Sequence, residues 1–370
     1  MGRGTCVFRG MRLYNEGMLL EGIFAAITTP FYRDGRLYLR KLEQNVDRYS
    51  HTPLSGIVVL GSTGEAVMLS DDESREVLKI AGASAFAEKV LIAGVARESA
   101  LETLRLAEFA ANCNYDVALV RTPQFYGPQM RPSEIMNYYR MIADRSALPV
   151  MLYSIPKFTH YELPVEVIAE LASHPNIIGL KDSSGKVERL AEIAAATQGV
   201  RKRTVMVTQI FEAVTSRMLL KEVAEPGNFV PASSLGGGNI SVIDAPPAPK
   251  VKLMRKKEVG FQILSGSADK LKASLDAGAN GAVLGMAACA PQACLEVYAA
   301  WKENDPELAD EKQQRIAIAS RRVGGEMGIP GLKYAADLNG YYGGSPRVPL
   351  LPLTGAERTE VEQLMTDLRN

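Results

Sequence analysis

The chain is poor in the residues that metal and disulfide chemistry need. Its 370 residues include four cysteines and three histidines. Cys6, Cys113, Cys289 and Cys294 form no CxxC pair, and His51, His160 and His174 do not cluster with them. This spacing argues against a zinc site and a disulfide scaffold, and fits a reducing compartment such as the cytoplasm. No stretch approaches the ~20 consecutive apolar residues of a membrane span, and residues 1–17 hold no apolar run of signal-peptide length. Those first residues are an N-terminal extension, taken here as 1–19, or Met18 is the natural start. Net charge is lacking too. Lys plus Arg and Asp plus Glu both number 42, so no global field draws the chain to nucleic acid or an anionic membrane. Small molecules and copies of itself are the partners this leaves.

What the chain does have is core-forming material in a regular order. With 46% hydrophobic residues it can bury a large core. Eight short, nearly continuous apolar runs follow one another: GIFAAITTPF (22–31), SGIVVLGS (55–62), KVLIAGVA (89–96), DVALVRTP (116–123), LPVMLYSIP (148–156), NIIGLKDSS (176–184), FQILSGSA (261–268) and NGAVLGMAA (280–288). Such runs suit parallel strands covered on both faces. The intervals carry helical periodicity; DDESREVLKIAGASAF (71–86) opens with acidic residues suited to a helix N-terminus. Strand then helix, eight times over roughly 250 residues, predicts an α/β fold of the (β/α)8 TIM-barrel type, with a doubly wound open sheet as the alternative. Barrel residues are expected over 20–304. A helical pattern at 289–304 supplies the eighth barrel helix, and those at 307–326 and 354–369, with GIPGLKYAADLNGYYGG (328–344), predict a C-terminal helical region over 305–370.

One interval breaks the rhythm. Between the sixth helix, ending near Gln198, and Phe261 lie about sixty residues where barrel connections are far shorter. Residues 199–260 therefore read as an insertion, with an amphipathic helix over 208–224 and a Gly/Pro/Ser-rich loop over 231–253. A surface excursion, a lid or a subunit contact would each account for it.

The sixth run ends on Lys181, at the carboxyl end of its strand, where barrel enzymes gather catalytic groups. A lysine whose pKa falls from ~10.4 toward ~7–8 through burial becomes an imine-forming nucleophile. A salt bridge to Asp182 is the plainer reading. Other strand ends bear on the choice. GSTGE (61–65) offers Ser62, Thr63 and backbone N–H groups to a carboxylate, TPQFY (122–126) ends in Tyr126, and YSIP (153–156) places Tyr153 one strand from Lys181.

GSTGE, TPQFY, YSIP, GLKDSSG, SGSA (265–268) and GIPGLKYAADLNGYYGG together resemble the dihydrodipicolinate synthase / N-acetylneuraminate lyase family of pyruvate-handling class I aldolases, from about Leu20 to Leu368. The resemblance implies that Lys181 is the Schiff-base lysine and Tyr153 the phenol that shuttles protons. It implies that Thr63 relays those protons and, with Ser62, holds the carboxylate of pyruvate. Tyr126 matches a tyrosine that family dimers push into the neighbouring subunit's site, so a homodimer or homotetramer is expected. Gly266 and Val283 match positions lining the pyruvate pocket, and Ser183 follows the lysine as in the hydroxy-oxoglutarate branch. Neither metal nor organic cofactor is implied.

Family synthases that take aspartate semialdehyde carry an arginine two residues beyond the proline of YSIP; here that residue is Phe158, after Lys157. An aromatic ring cannot form the two-pronged carboxylate pair of an arginine, unless Lys157, Arg97 or Arg131 compensates. The motifs sit closer to the branch that cleaves 4-hydroxy-2-oxoglutarate to pyruvate and glyoxylate; condensation of pyruvate with aspartate semialdehyde is the alternative. A non-catalytic keto-acid-binding barrel and a pyridoxal-phosphate barrel with an internal aldimine at Lys181 are the readings from other classes.

Overall fold

A computed structural model describes residues 17–223 and 254–368. Its strands are β1 (Gly22–Ala26), β2 (Gly56–Val59), β3 (Val90–Gly94), β4 (Val117–Arg121), β5 (Val150–Ser154), β6 (Ile177–Asp182), β7 (Arg203–Val207), β8 (Arg255–Val259), β9 (Gln262–Ser265) and β10 (Gly281–Leu284). Its helices are α1 (Leu39–Ser50), α2 (Asp71–Ser84), α3 (Ala100–Asn112), α4 (Pro132–Arg145), α5 (Pro156–Thr159), α6 (Val165–Ala172), α7 (Val187–Thr197), α8 (Ser216–Val223), α9 (Leu271–Asp276), α10 (Pro291–Lys302), α11 (Pro306–Ala319), α12 (Gly328–Leu338) and α13 (Gly355–Leu364). Each of the eight apolar runs contains one strand of a closed parallel barrel, ordered β1-β10-β9-β6-β5-β4-β3-β2. The open-sheet alternative is thereby excluded, because β1 pairs with both β2 and β10.

Both faces of these strands are apolar because both are covered. Phe24, Val58, Ile92, Leu119, Met151, Leu264 and Val283 fill the barrel, while alternate residues such as Ile57, Leu91, Leu152 and Leu180 meet the surrounding helices. The acidic start of α2 is a capping box: Glu73 N–H donates to Ser70 Oγ at 3.2 Å, and Ser70 N–H donates to the Glu73 carboxylate at 3.0 Å. Helices α11 to α13 follow the barrel, so the chain has the expected C-terminal helices.

The insertion departs from expectation. β7 and β8 form an antiparallel pair, and the helix expected over 208–224 is confined to Ser216–Val223; the loop expected over 231–253 lies outside the described residues. Sequence RTVMV buries Val205 and Val207, but RKKEV reads as polar, so its strand is set by pairing rather than by its own pattern. The pair packs at the amino ends of the barrel strands. The Arg203 guanidinium donates to the carbonyls of His174 and Ile177 at 2.8 and 2.7 Å. Arg217 donates to Asn114 O at 2.8 Å and lies 3.5 Å from the buried carboxylate of Asp116. Burial pushes that carboxyl above its usual range, with Arg217 opposing. Leu19 joins Val205, Val207 and Val259 in a small core there. The described part of the insertion is thus on the face opposite Lys181, which rules it out as a lid over that residue.

Candidate active site

Register assembles the site. Arg121 of β4 pairs with Tyr153 of β5, and Tyr153 with Lys181 of β6. Alternation places all three on the barrel's inner side at its carboxyl end. Lys181 is 4% exposed, and its Nζ lies 4.3 Å from the centre of the Tyr153 ring. Its neighbour Asp182 faces the other way and pairs with Arg189 at 3.1 Å, while accepting a hydrogen bond from Ser184 N–H at 2.9 Å. The salt bridge that would have given Lys181 a structural role is therefore absent, and among the described residues its ammonium has no carboxylate partner.

The Tyr153 hydroxyl shares a hydrogen bond of 3.0 Å with Ser62 Oγ. The expected partner was Thr63, one residue on; its hydroxyl instead faces Gly285, where an added Cβ would come within 3.3 Å of Thr63 Oγ1. Of the two hydroxyls, that of Ser62 is the one hydrogen-bonded to the phenol. Ser183 and Gly266 lie against each other at the ends of β6 and β9: Gly266 N–H donates to Asp182 O at 2.7 Å. An added Cβ on Gly266 would sit 2.0 Å from Ser183 Oγ, so this close approach requires glycine. Val283 lies in the barrel interior. Tyr126 is not with the others: the residue is 63% exposed and its ring packs edge-on against Phe125 at 5.1 Å.

Ser62 and Tyr153 open onto a cleft of about 530 Å³ whose walls include Arg121, Phe158, Ile329 and Leu350. Arg121 is the cation that the sequence reading missed. Its two terminal nitrogens donate to one oxygen of Glu98 at 3.0 Å, and the other Glu98 oxygen accepts the backbone N–H groups of Gln124 and Phe125. Burial would raise the Glu98 carboxyl, but these N–H donors and Arg121 together hold it below its usual range. The alternation of VALVR, with 117, 119 and 121 on one face, was the available signal. The three cations weighed as substitutes have partners, as Arg121 does: Arg97, which also lines the cleft, with Asp71 at 3.0 Å, Arg131 with Glu134, and Lys157 with Gly325 O at 2.5 Å.

A second pair missing from the sequence reading lies beside the Ser62 turn. Glu65 and Lys333 are both fully buried and 2.6 Å apart. Burial holds the Lys333 ammonium below its usual range, with the Glu65 carboxylate opposing. Among the described residues no group of three or more His, Cys, Asp or Glu is placed to hold a metal ion, and no helix is long and apolar enough to cross a membrane.

A parallel barrel that buries an unpaired lysine against a tyrosine at its carboxyl end has the makings of an enzyme that works through a lysine imine. Comparison with known proteins gives the family. The model of the dihydrodipicolinate synthetase family matches residues 19–208 and 248–368, so the chain belongs to that family and is an enzyme of the class I aldolase or lyase type. It is 26% identical over 350 residues to 4-hydroxy-tetrahydrodipicolinate synthase of Methanothrix thermoacetophila, covering 95% of this chain and 97% of that one. The synthase of Xanthomonas campestris is 37% identical over 180 residues, 48% of this chain and 58% of that protein. Among solved structures, dihydrodipicolinate synthase from Bacillus anthracis superposes with a TM-score of 0.74 at 20% identity, covering 95% of this chain and 99% of that one. YagE of Escherichia coli K12, solved with pyruvate, gives 0.73 at 22%, covering 95% and 99%.

Proposed function

We propose that Lys181 forms a Schiff base with the carbonyl of a pyruvate-type 2-keto acid and that the chain then makes or breaks the adjacent C3–C4 bond. The observation that carries this reading is the buried Lys181 ammonium without a carboxylate partner, set against a phenol that is itself hydrogen-bonded to Ser62 at 3.0 Å. The amine attacks C2 to give a carbinolamine. Its hydroxyl departs as water with a proton from Tyr153, which Ser62 helps to restore. Tyr153, left as phenolate by the loss of water, takes the C4 hydroxyl proton while the protonated imine draws the electron pair of the breaking C3–C4 bond, releasing an aldehyde and leaving a neutral enamine. Protonation at C3 and hydrolysis return pyruvate and the free lysine. Ser62 takes the relay role first expected of Thr63, and Ser183, Gly266, Thr63 and Val283 contribute to the pocket around the keto acid. The exposed Tyr126 suits a residue supplied to a neighbouring subunit, so the chain works as a homodimer or homotetramer.

For the aldehyde, cleavage of 4-hydroxy-2-oxoglutarate to pyruvate and glyoxylate remains the first reading, because Phe158, not an arginine, stands at the cleft wall. Condensation of pyruvate with aspartate semialdehyde is the second, favoured by the name the relatives carry. Both substrates bring a second carboxylate, and Arg121 at the cleft wall receives it in either case by giving up part of its bonding to Glu98. The test is intact mass after pyruvate and borohydride, followed by peptide mapping. A reduced pyruvyl adduct on Lys181 is expected, with glyoxylate and aspartate semialdehyde then compared as partners; a folded, unmodified protein would sink the reading.

A further inference from the structure

The turn that carries Ser62 is held in a shape that ordinary residues avoid. Leu60 and Glu65, on either side of Gly61–Gly64, both adopt left-handed backbone, with φ of 59° and 55°. Every residue except glycine resists that conformation, and it persists only where the surroundings enforce it. The enforcement is visible. Gly94 lets the chain pass so close that an added Cβ would lie 1.9 Å from Leu60 O, and the Thr29 hydroxyl donates to Gly64 O at 2.6 Å. The Glu65 carboxylate is then anchored from the far end of the chain: Lys333 Nζ is 2.6 Å from one oxygen, and Arg347 N–H donates to the other at 2.8 Å. Lys333 is itself fixed, donating to Thr29 O at 2.9 Å and Ser345 O at 3.0 Å above the Phe31 ring.

A buried ion pair is a poor way to gain stability, since well-packed apolar residues of similar volume commonly do as well or better. A pair of opposite charges does fix a direction and a distance. We infer that Lys333 is a positioning residue, which through Glu65 holds the Ser62 turn against its own backbone preference and so keeps Ser62 within hydrogen-bond reach of Tyr153. The C-terminal region is on this account part of the catalytic apparatus, and the inference rests on the proton-transfer role proposed for Ser62 and Tyr153.

The test compares two double variants of the full chain, Lys333→Met with Glu65→Ala and Lys333→Met with Glu65→Gly. Both lose the same charges, but only glycine takes the left-handed backbone freely. The alanine form is expected to trap pyruvate about tenfold or more slowly, and the glycine form within about threefold of the parent, as fits disturbed proton transfer. Crystal structures should show the Ser62–Tyr153 hydrogen bond kept with glycine and lost with alanine. A pair that only stabilised the fold would leave the trapping rate per folded molecule the same in both variants, whatever the difference in their melting points. Equal rates and equal distances would overturn the inference. Glu65→Asp, which keeps the charge but shortens the anchor, gives a milder version: slower trapping and a displaced Ser62 are expected, and no change in either would overturn it. A parent protein that traps no pyruvate would overturn the proposed chemistry instead, and the crystallographic distances would still decide the role of Lys333.

Discussion

Two sets of cations, one at each end of the barrel, are used differently. At the amino end, the guanidinium of Arg203 is spent on main-chain carbonyls and that of Arg217 on carbonyls and the Asp116 carboxylate. At the carboxyl end, Lys181 has no carboxylate partner among the described residues, Tyr153 and Ser62 share one bond, and the backbone on both sides of Ser62 is left-handed. The difference separates groups that hold the molecule together from groups held ready for a substrate. Free polar groups and backbone strain each cost stability, so the mouth must draw on packing elsewhere.

Substitutions at the two ends should therefore fail differently. Lys181→Met should abolish the borohydride adduct and turnover by removing the amine that attacks C2, while the thermal midpoint stays near the parent's; a remaining adduct that maps elsewhere would break the contrast. Tyr153→Phe should slow imine formation by ~10²- to 10⁴-fold, Ser62→Ala should follow it by a smaller factor, and Thr63→Val should matter less than either; stopped trapping assays would rank them. At the other end, Arg217→Met should cost on the order of 3–5 kcal/mol of stability by stranding the buried Asp116, read in urea melts, with turnover per folded molecule unchanged. Arg121→Met should weaken a carboxylate-bearing aldehyde by ~10- to 100-fold, the worth of a charged hydrogen bond, yet leave pyruvate trapping intact. Loss of both would make Arg121 a support for the 122–126 loop.

The smallest expected effect is of pH. The Glu98 carboxyl sits below its usual range in the fold, so the stability it adds is fully present above the ordinary carboxylate pKa and fades as pH falls through its own, lower one. Limited proteolysis near residues 122–126 should thus rise below about pH 4, and Glu98→Gln should remove that rise.

Much of this division is legible in the sequence, and the misses have physical causes. Eight apolar runs give the barrel because burial on both faces leaves a strong local mark. β8 leaves none, since RKKEV is a strand only through its partner. Lys181 and Tyr153 can be placed at strand ends by alternation alone, whereas the choice between Ser62 and Thr63 depends on how one tight turn directs two adjacent side chains. Arg121 obeys the same alternation as Lys181, but its setting depends on the Glu98 carboxylate of another strand end, which no local pattern reveals. Glu65 and Lys333 could not be paired by inspection, because the groups that meet lie at opposite ends of the barrel's chain.

That last distance has a consequence during synthesis. The lysine, the phenol and the serine all leave the ribosome well before Lys333 and Arg347 do, and contacts between remote segments form late. A nascent chain halted before residue 333 carries every reacting atom but not the brace behind them. On the account given for Lys333, the site's chemistry is timed by a segment made long after the reacting residues, and the site ripens only once that segment has emerged.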